Sequence, residues 1–221
     1  MCFVDGRAFG SSYTTEEVAQ RRPLHDLGRW RIAVDTDAAG SGRNSIVSEA
    51  ASYAFDVTLP GGTTVPMGGV TWVATASTHR RQGLMRRVIG AIHDDIDERG
   101  EPLATLAASE GGIYEHVGYG IATRSRVTTL DRRFARIRPE FRQPTGTVRH
   151  LDEDEDVAAV LAPIWNLYRR TRVGEVSRDQ AWHDFAIDLL SRGEGRATVG
   201  YYLVHADGYA IYRIQQNWNV G

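Results

Sequence analysis

The stretch VATASTHRRQGLMRR, residues 73–87, places an apolar segment, a loop containing Gly83 and the start of a helical pattern directly after one another. A strand that leads through a short loop into a helix leaves the first N–H groups of that helix unpaired, at the positive end of its dipole. Phosphate groups bind well at such a position, and Gly83 lets the backbone approach an anion closely. The stretch therefore predicts a phosphate-binding turn.

Four arginines flank this turn: Arg80, Arg81, Arg86 and Arg87. An arginine-rich first turn can also be a plain solvent-exposed helix end. Each cation at a helix N-terminus is, however, unfavourable by about 0.3–1 kcal/mol, so that a bound anion would offset the cost of several. The segment has neither the Gly-Lys-Ser/Thr of a P-loop nor the spaced glycines of a dinucleotide-binding turn.

Composition excludes several classes of protein. The net charge of −2 argues against a general nucleic-acid binder. No stretch approaches the roughly 20 apolar residues of a membrane span, and the N-terminus lacks a signal-peptide pattern, so we expect a cytoplasmic protein without a membrane partner. The single cysteine, Cys2, excludes an internal disulfide framework. Histidines and acidic residues show no zinc-ligand spacing, and we expect no metal.

Around the turn, hydrophobic periodicity predicts the secondary structure. The strongest pattern is an amphipathic helix that ends at Gly100, with apolar positions at Leu84, Met85, Val88, Ile89, Ile92 and Ile96. Two helices are predicted before residue 23, the second capped at Thr14 or Thr15. Strands are predicted at about 29–37, 45–60, 67–76, 102–109 and 122–130.

The second part of the chain begins after a basic, proline-containing segment. We predict a linker at residues 131–146, between a first domain at 1–130 and a partial second domain at 147–221. The second domain is predicted to contain a strand near 147–151, helices at 157–170 and 178–191, and a hairpin turning at Asp207-Gly208.

Two motifs together resemble one protein family. The segment RRQGLM resembles the pyrophosphate loop of the GNAT acetyltransferases, Arg/Gln-x-x-Gly-x-Gly/Ala, with Arg80 and Gly83 in place and Met85 at the final small position. About 25 residues later comes LAASEGGIYEHVGYGIAT, followed by DRRFAR. This combination resembles the Enhanced intracellular survival (Eis) branch of that superfamily, over the range from about Phe9 to Ile214.

The resemblance implies an α+β or α/β fold of the GNAT type, with a mixed, mostly antiparallel central sheet flanked by helices, followed by part of a second GNAT-like domain. It also implies transfer of the acetyl group of acetyl-CoA to a cationic amine, such as an aminoglycoside-like polyamine or a lysine side chain. Tyr114 would be the general acid that protonates the departing thiolate. The resemblance assigns cofactor binding to Val73, Ala74, Thr75, Arg81, Gln82, Gly83, Leu84, Met85, Arg86, Ser109 and Glu110.

Other candidates stay open at this stage. Tyr119 is a reserve acid, although it is more typical of a residue that plugs the loop against the sheet, and His116 is a candidate base. Two acidic groups, at 152–156 and 94–98, could dock a cation but are more typical of solvated helix surfaces and a helix N-terminus.

The resemblance also implies that the chain is truncated at both ends. The first strand of the family is expected to be missing, the second domain to be incomplete, and the family's C-terminal carboxylate, its general base, to be absent. Family members form hexamers, so we expect a homo-oligomer. Two alternatives compete with catalysis: a non-catalytic acetyl-CoA-binding or oligomer-forming remnant, and a nucleic-acid binder using RRFARIRPEFR, which the overall charge disfavours.

Overall fold

The structure is a computed structural model that describes residues 2–37, 45–124, 126–131, 133–141, 146–152, 154–191 and 200–214. The chain forms two compact units. The first comprises Met1–Gly120 and Val173–Ser177, and the second comprises Ile121–Arg172 and Arg178–Gly221. The first unit thus ends before residue 130, where we expected the first domain to end, and the expected linker at 131–146 belongs to the second unit.

The first unit contains three helices and four strands among its described residues. In chain order these are α1 (Cys2–Phe9), α2 (Thr15–Arg21), β1 (Trp30–Val34), β2 (Ile46–Thr58), β3 (Thr64–Thr75), α3 (Leu84–Glu98) and β4 (Leu103–Leu106). The predicted cap of α2 is confirmed, because Thr14 and Glu17 form a reciprocal capping box.

The four strands form one mixed sheet in the order β1-β2-β3-β4. The first three strands are antiparallel, whereas β4 runs parallel to β3. This is the mostly antiparallel sheet flanked by helices that the resemblance implies, and the expected fold class is confirmed. The parallel pair needs a crossover, which α3 supplies.

Helix α3 lies on the sheet because its apolar residues recur at helical spacing. Val88, Ile92 and Ile96 form one buried cluster with Ala50 of β2 and Val70 of β3. The helix stops before Gly100, whose φ of +72° fits the left-handed conformation that ends helices. The packing fixes the direction of α3 and therefore the position of its N-terminus, at the end of β3.

A distant segment of the chain completes the first unit. The N–H of Thr58 donates to the carbonyl of Glu175 at 3.0 Å, and the N–H of Gly174 donates to the carbonyl of Thr58 at 2.8 Å. Ser177 likewise donates its N–H to the carbonyl of Asp56. Residues 173–177 thereby satisfy backbone groups of β2 that lie beyond the reach of β1, whose pairing stops at Ala51.

The second unit contains β5 (Arg149–His150), α4 (Val157–Arg169), α5 (Gln180–Ser191), β6 (Tyr201–His205) and β7 (Gly208–Tyr212). Its strands form an antiparallel sheet in the order β5-β6-β7. The predicted hairpin is confirmed, with the turn one residue earlier than expected, since His205 pairs with Gly208.

The strand predicted at 122–130 is wrong for the described residues of that range, which form no strand. Val127 is 94% exposed and Leu130 is 74% exposed. Alternation alone does not make a strand, because a strand needs a neighbour for its backbone groups and a surface on which its apolar side chains pack.

We predict that Ile92→Ala destabilises the protein by about 2–5 kcal/mol, because a fully buried side chain is replaced by a cavity. Ile32→Ala is the matched control, since Ile32 is 47% exposed. Urea unfolding of both variants measures the difference. Equal losses would show that α3 does not pack on the sheet as described.

Candidate active site

Strands β3 and β4 separate before β3 ends. Their parallel pairing runs from Met67 with Leu103 to Val70 with Leu106 and then stops, while β3 continues to Thr75. On its other side β3 remains paired with β2, through Ala74 with Glu49 and Thr75 with Ser48. The last residues of β3 therefore present an edge that β4 does not cover.

Trp72 accompanies this separation with an irregular backbone. Its φ is +52°, in the left-handed region that non-glycine residues rarely adopt. The β2–β3 register shifts at the same place, between Glu49 and Ala51 of β2. Such a bulge turns the strand and re-aims its side chains, as bulges next to active sites commonly do.

The loop after β3 aims the start of α3 at the opening. Gly83 is the N-cap of α3 with a φ of +74°, and no side chain caps the helix. Nothing lies within 4 Å of the Cβ that another residue would place there. The first N–H groups of α3 are thus directed into open space at the positive end of the helix dipole.

The four arginines around this N-terminus are exposed. None of them forms an ion pair with a residue that the structure describes. Arg81 also has a positive φ, of 63°, which completes a tight turn in front of Gly83. Free guanidinium groups beside unpaired N–H groups are the donors that a pyrophosphate requires.

These elements surround one cavity of about 590 Å³. The end of α1 contributes Ala8 and Phe9, and the remaining lining comes from the end of β3, the loop, the start of α3 and residues 109–117. Of the twelve predicted site residues, eleven line the cavity: Val73, Ala74, Thr75, Arg81, Gly83, Leu84, Met85, Arg86, Ser109, Glu110 and Tyr114. The twelfth, Gln82, lies in the same loop but is not part of the lining.

Tyr114 is held between two short 3-10 turns, Gly111–Ile113 and Glu115–Val117. Its carbonyl accepts the N–H groups of Val117 at 3.0 Å and Tyr119 at 3.2 Å. Only 8% of the residue is exposed. Burial, and then the charge of Glu110, raise the pKa of its hydroxyl, which therefore stays protonated at neutral pH.

Tyr119, the reserve acid, has a different position. Its hydroxyl lies 2.9 Å from Nε2 of His93 on α3, and its ring packs on the core of the first unit. Burial, and then Tyr114, raise its pKa to about 12. The ring centroids of Tyr119 and Tyr114 lie 6.1 Å apart in an edge-on arrangement. Tyr119 thus packs the loop against the first unit, as expected.

The structure also places the candidate base and the two acidic groups. His116 lines the cavity. Asp95 is buried and forms ion pairs with Arg31 and Arg99, so its role is structural. In the other acidic group, Glu155 pairs with Arg149, and Asp156 caps α4.

Sequence reasoning missed two buried carboxylates, Glu49 of β2 and Asp5 of α1. Glu49 is fully buried and Asp5 is 6% exposed. Burial raises the pKa of both, that of Glu49 to about 7. The available signal was that Glu49 is the one charged residue between Ile46 and Phe55, in a strand whose other residues suit burial.

Comparison with known proteins now gives the site its context. Residues 4–122 match the family described as acetyltransferase (GNAT) domain. The chain is 37% identical over 198 residues to the N-acetyltransferase Eis of Mycobacterium tuberculosis (strain ATCC 25177 / H37Ra), covering 85% of this chain and 48% of that protein. It is 31% identical over 220 residues to an uncharacterized N-acetyltransferase of Streptomyces avermitilis, covering 96% of this chain and 51% of that protein.

A solved structure agrees over almost the whole chain. The crystal structure of Eis1 from Mycobacterium abscessus superimposes with a TM-score of 0.72 at 27% identity, covering 98% of this chain and 51% of that chain. The chain thus spans about half the length of the curated relatives it matches. Within the described ranges, no helix is long and apolar enough to cross a membrane. No group of three or more potential metal ligands occurs among these residues either.

We predict that Glu49→Gln raises the melting temperature at pH 8 but changes it little at pH 4. The folded-state pKa of Glu49, about 7, lies above the ordinary glutamate value of 4.5, so the folded chain holds this proton more tightly than the unfolded chain. The resulting stability is present below pH 4.5 and is lost as pH rises through 7, whereas glutamine stays neutral.

Scanning fluorimetry at both pH values measures the effect, with Glu16→Gln as the exposed control. The same shift at pH 4 and pH 8 would contradict a carboxyl group whose pKa is raised to about 7 by burial.

Proposed function

We propose that this chain, which belongs to the GNAT acetyltransferases, transfers the acetyl group of acetyl-CoA directly to a primary amine. The observation that carries the proposal is the convergence of three features on one cavity: the uncovered edge of β3, the uncapped N-terminus of α3, and Tyr114. GNAT enzymes use acetyl-CoA as co-substrate, and each feature matches one part of that molecule.

The pyrophosphate fits the N-terminus of α3. Its charges would accept N–H donors from Gly83, Leu84 and Met85, with Arg81 and Arg86 adding side-chain donors. The pantetheine amides would pair with the backbone of Val73, Ala74 and Thr75, as a peptide does when it adds to a sheet edge. Ser109 and Glu110 border the same cavity from the end of β4.

The thioester would then lie near Tyr114. Amine attack on the acetyl carbon forms the C–N bond, and the C–S bond breaks to expel a thiolate. Tyr114 donates its hydroxyl proton to that thiolate, a role that requires a phenol protonated at neutral pH, as the raised pKa of Tyr114 ensures. Transfer is direct, and no residue of the chain is acetylated on the way.

We infer that the acceptor is a cationic amine, an aminoglycoside-like polyamine or a lysine side chain. The N-acetyltransferase names of the relatives support an amine acceptor. We further propose a cytoplasmic homo-oligomer. A remnant that binds acetyl-CoA without turnover is the competing possibility, and the experiments below separate the two.

We predict that Tyr114→Phe lowers kcat for acetylation of an amine by about 100-fold or more, because the thiolate loses its proton donor. The KM for acetyl-CoA should change little, since the ring remains. Mass spectrometry of the acetylated aminoglycoside measures the product, with Tyr168→Phe in the second unit as control.

Retention of activity in Tyr114→Phe together with its loss in Tyr119→Phe would transfer the acid role to Tyr119. Binding of acetyl-CoA without any product in the unsubstituted chain would favour the remnant.

We predict that Arg86→Glu weakens CoA binding by about tenfold or more, equivalent to about 1.4 kcal/mol, while leaving the fold as stable or slightly more stable. A carboxylate at the third position of α3 repels phosphate but interacts favourably with the helix dipole. Calorimetric titration with CoA and a thermal melt measure the two effects, with exposed Arg138→Glu as control. Undiminished CoA affinity would contradict a pyrophosphate site at α3.

A further inference from the structure

A buried acidic pair lies on the face of the sheet that α1 covers. The backbone N–H of Asp5 donates to Oε1 of Glu49 at 3.1 Å, and the hydroxyl of Tyr13 donates to Oδ2 of Asp5 at 2.6 Å. The other oxygen of Glu49, Oε2, is buried and has no hydrogen-bond partner among the described residues. A buried acceptor without a partner is costly, so a ligand that donates to it would relieve that cost.

The pair adjoins the cavity of the proposed active site. Glu49 lies directly opposite Ala74, which lines the cavity. Opposite residues of antiparallel strands have Cβ atoms about 5 Å apart on the same face of the sheet. Helix α1, which carries Asp5, ends at the cavity with Ala8 and Phe9.

We propose that Glu49 and Asp5 form the acceptor subsite of this enzyme, in which Asp5 holds a primary alkylammonium and Glu49 takes its proton. The proposal rests on the proposed acetyl transfer and names the residues that act on its second substrate.

A group of aromatic rings adjoins the acidic pair through Tyr13, whose hydroxyl donates to Asp5. The ring centroids of Tyr13 and Trp72 lie 5.6 Å apart. The centroid of Trp72 lies 5.4 Å from that of His25 and 5.6 Å from that of Trp30. Aromatic faces attract alkylammonium groups and accommodate their methylene chains. Burial, and then the charge of Arg22, lower the pKa of His25 to about 4, so the His25 ring is uncharged at neutral pH.

Burial and neighbouring groups together set the pKa of the Glu49 carboxyl. Burial raises this pKa most, the hydrogen bond from the N–H of Asp5 lowers it, and the carboxyl of Asp5 raises it. The charge of Arg21 lowers the pKa of Asp5, against the larger effect of burial. The guanidinium carbon of Arg21 lies 5.4 Å from the centroid of the Tyr13 ring. The resulting pKa of about 7 leaves a substantial carboxylate fraction at physiological pH, as a general base requires.

In the proposed reaction Glu49 and Tyr114 each transfer one proton. The acceptor arrives as an ammonium and gives one proton to the Glu49 carboxylate, which frees the nitrogen lone pair for attack. After the C–N bond forms and the C–S bond breaks, the nitrogen loses a second proton. That proton replaces the one that Tyr114 gives to the thiolate, and Glu49 releases the first to solvent.

Glu49→Gln tests the proposal with two acceptors, spermidine, which is protonated at neutral pH, and hydroxylamine, which is largely unprotonated there. We expect kcat/KM for spermidine to fall about 100-fold or more, with loss of the limb that rises through about pH 7. For hydroxylamine we expect a loss of less than tenfold, because no proton must be removed before attack. Asp5→Asn should mainly raise the KM for spermidine.

Controls separate the possible failures. An unchanged KM for acetyl-CoA shows that Glu49→Gln folds, and Glu16→Gln controls for loss of an acidic charge. Equal losses with both acceptors, or an unchanged pH profile, would overturn the role of Glu49 while leaving the acetyl transfer intact. Failure of the unsubstituted chain to acetylate either acceptor would overturn the proposed function and this subsite with it.

Discussion

The separation of β3 from β4 is the constraint on which the site depends. A strand that is paired on both sides leaves no free backbone groups. The end of β3 has free groups on one side because its pairing with β4 stops at Val70. The irregular backbone at Trp72 turns the strand just beyond this point. Because α3 packs on the same sheet through Val88, Ile92 and Ile96, its N-terminus is fixed beside the opening. A ligand with amides at one end and phosphates at the other matches both groups of donors and acceptors.

The proposed site has two parts, one that offers donors to an anion and one that carries carboxyl groups. The α3 end presents unpaired N–H groups and exposed arginines to an anion, whereas the α1 face presents the buried carboxyls of Asp5 and Glu49. Tyr114 lines the same cavity as the α3 turn and remains protonated at neutral pH because burial raises the pKa of its hydroxyl. Such a division suits the proposed reaction of an anionic donor with a cationic acceptor, since each substrate would be attracted to one part.

Local patterns predicted the parts of this structure that local physics determines. The spacing of the apolar residues predicted α3 almost to its ends, and Thr14 or Thr15 with Glu17 predicted the cap of α2. The residues of the cavity lining were assigned by the family resemblance, which rests on the motifs around Gly83 and Tyr114 together. Glu49 escaped prediction because its burial depends on α1 packing over it, 44 residues away in the chain. The strand expected at 122–130 failed because alternation says nothing about a neighbouring strand. The pairing of residues 173–177 with β2 is likewise invisible to any local pattern.

A crystal structure of the protein with bound CoA tests the central claim most directly. The account predicts a pyrophosphate at the N–H groups that follow Gly83, pantetheine amides paired with Val73 and Thr75, and the thiol beside the Tyr114 hydroxyl. Pantetheine bound outside the opening between β3 and β4, or a thiol remote from Tyr114, would contradict it.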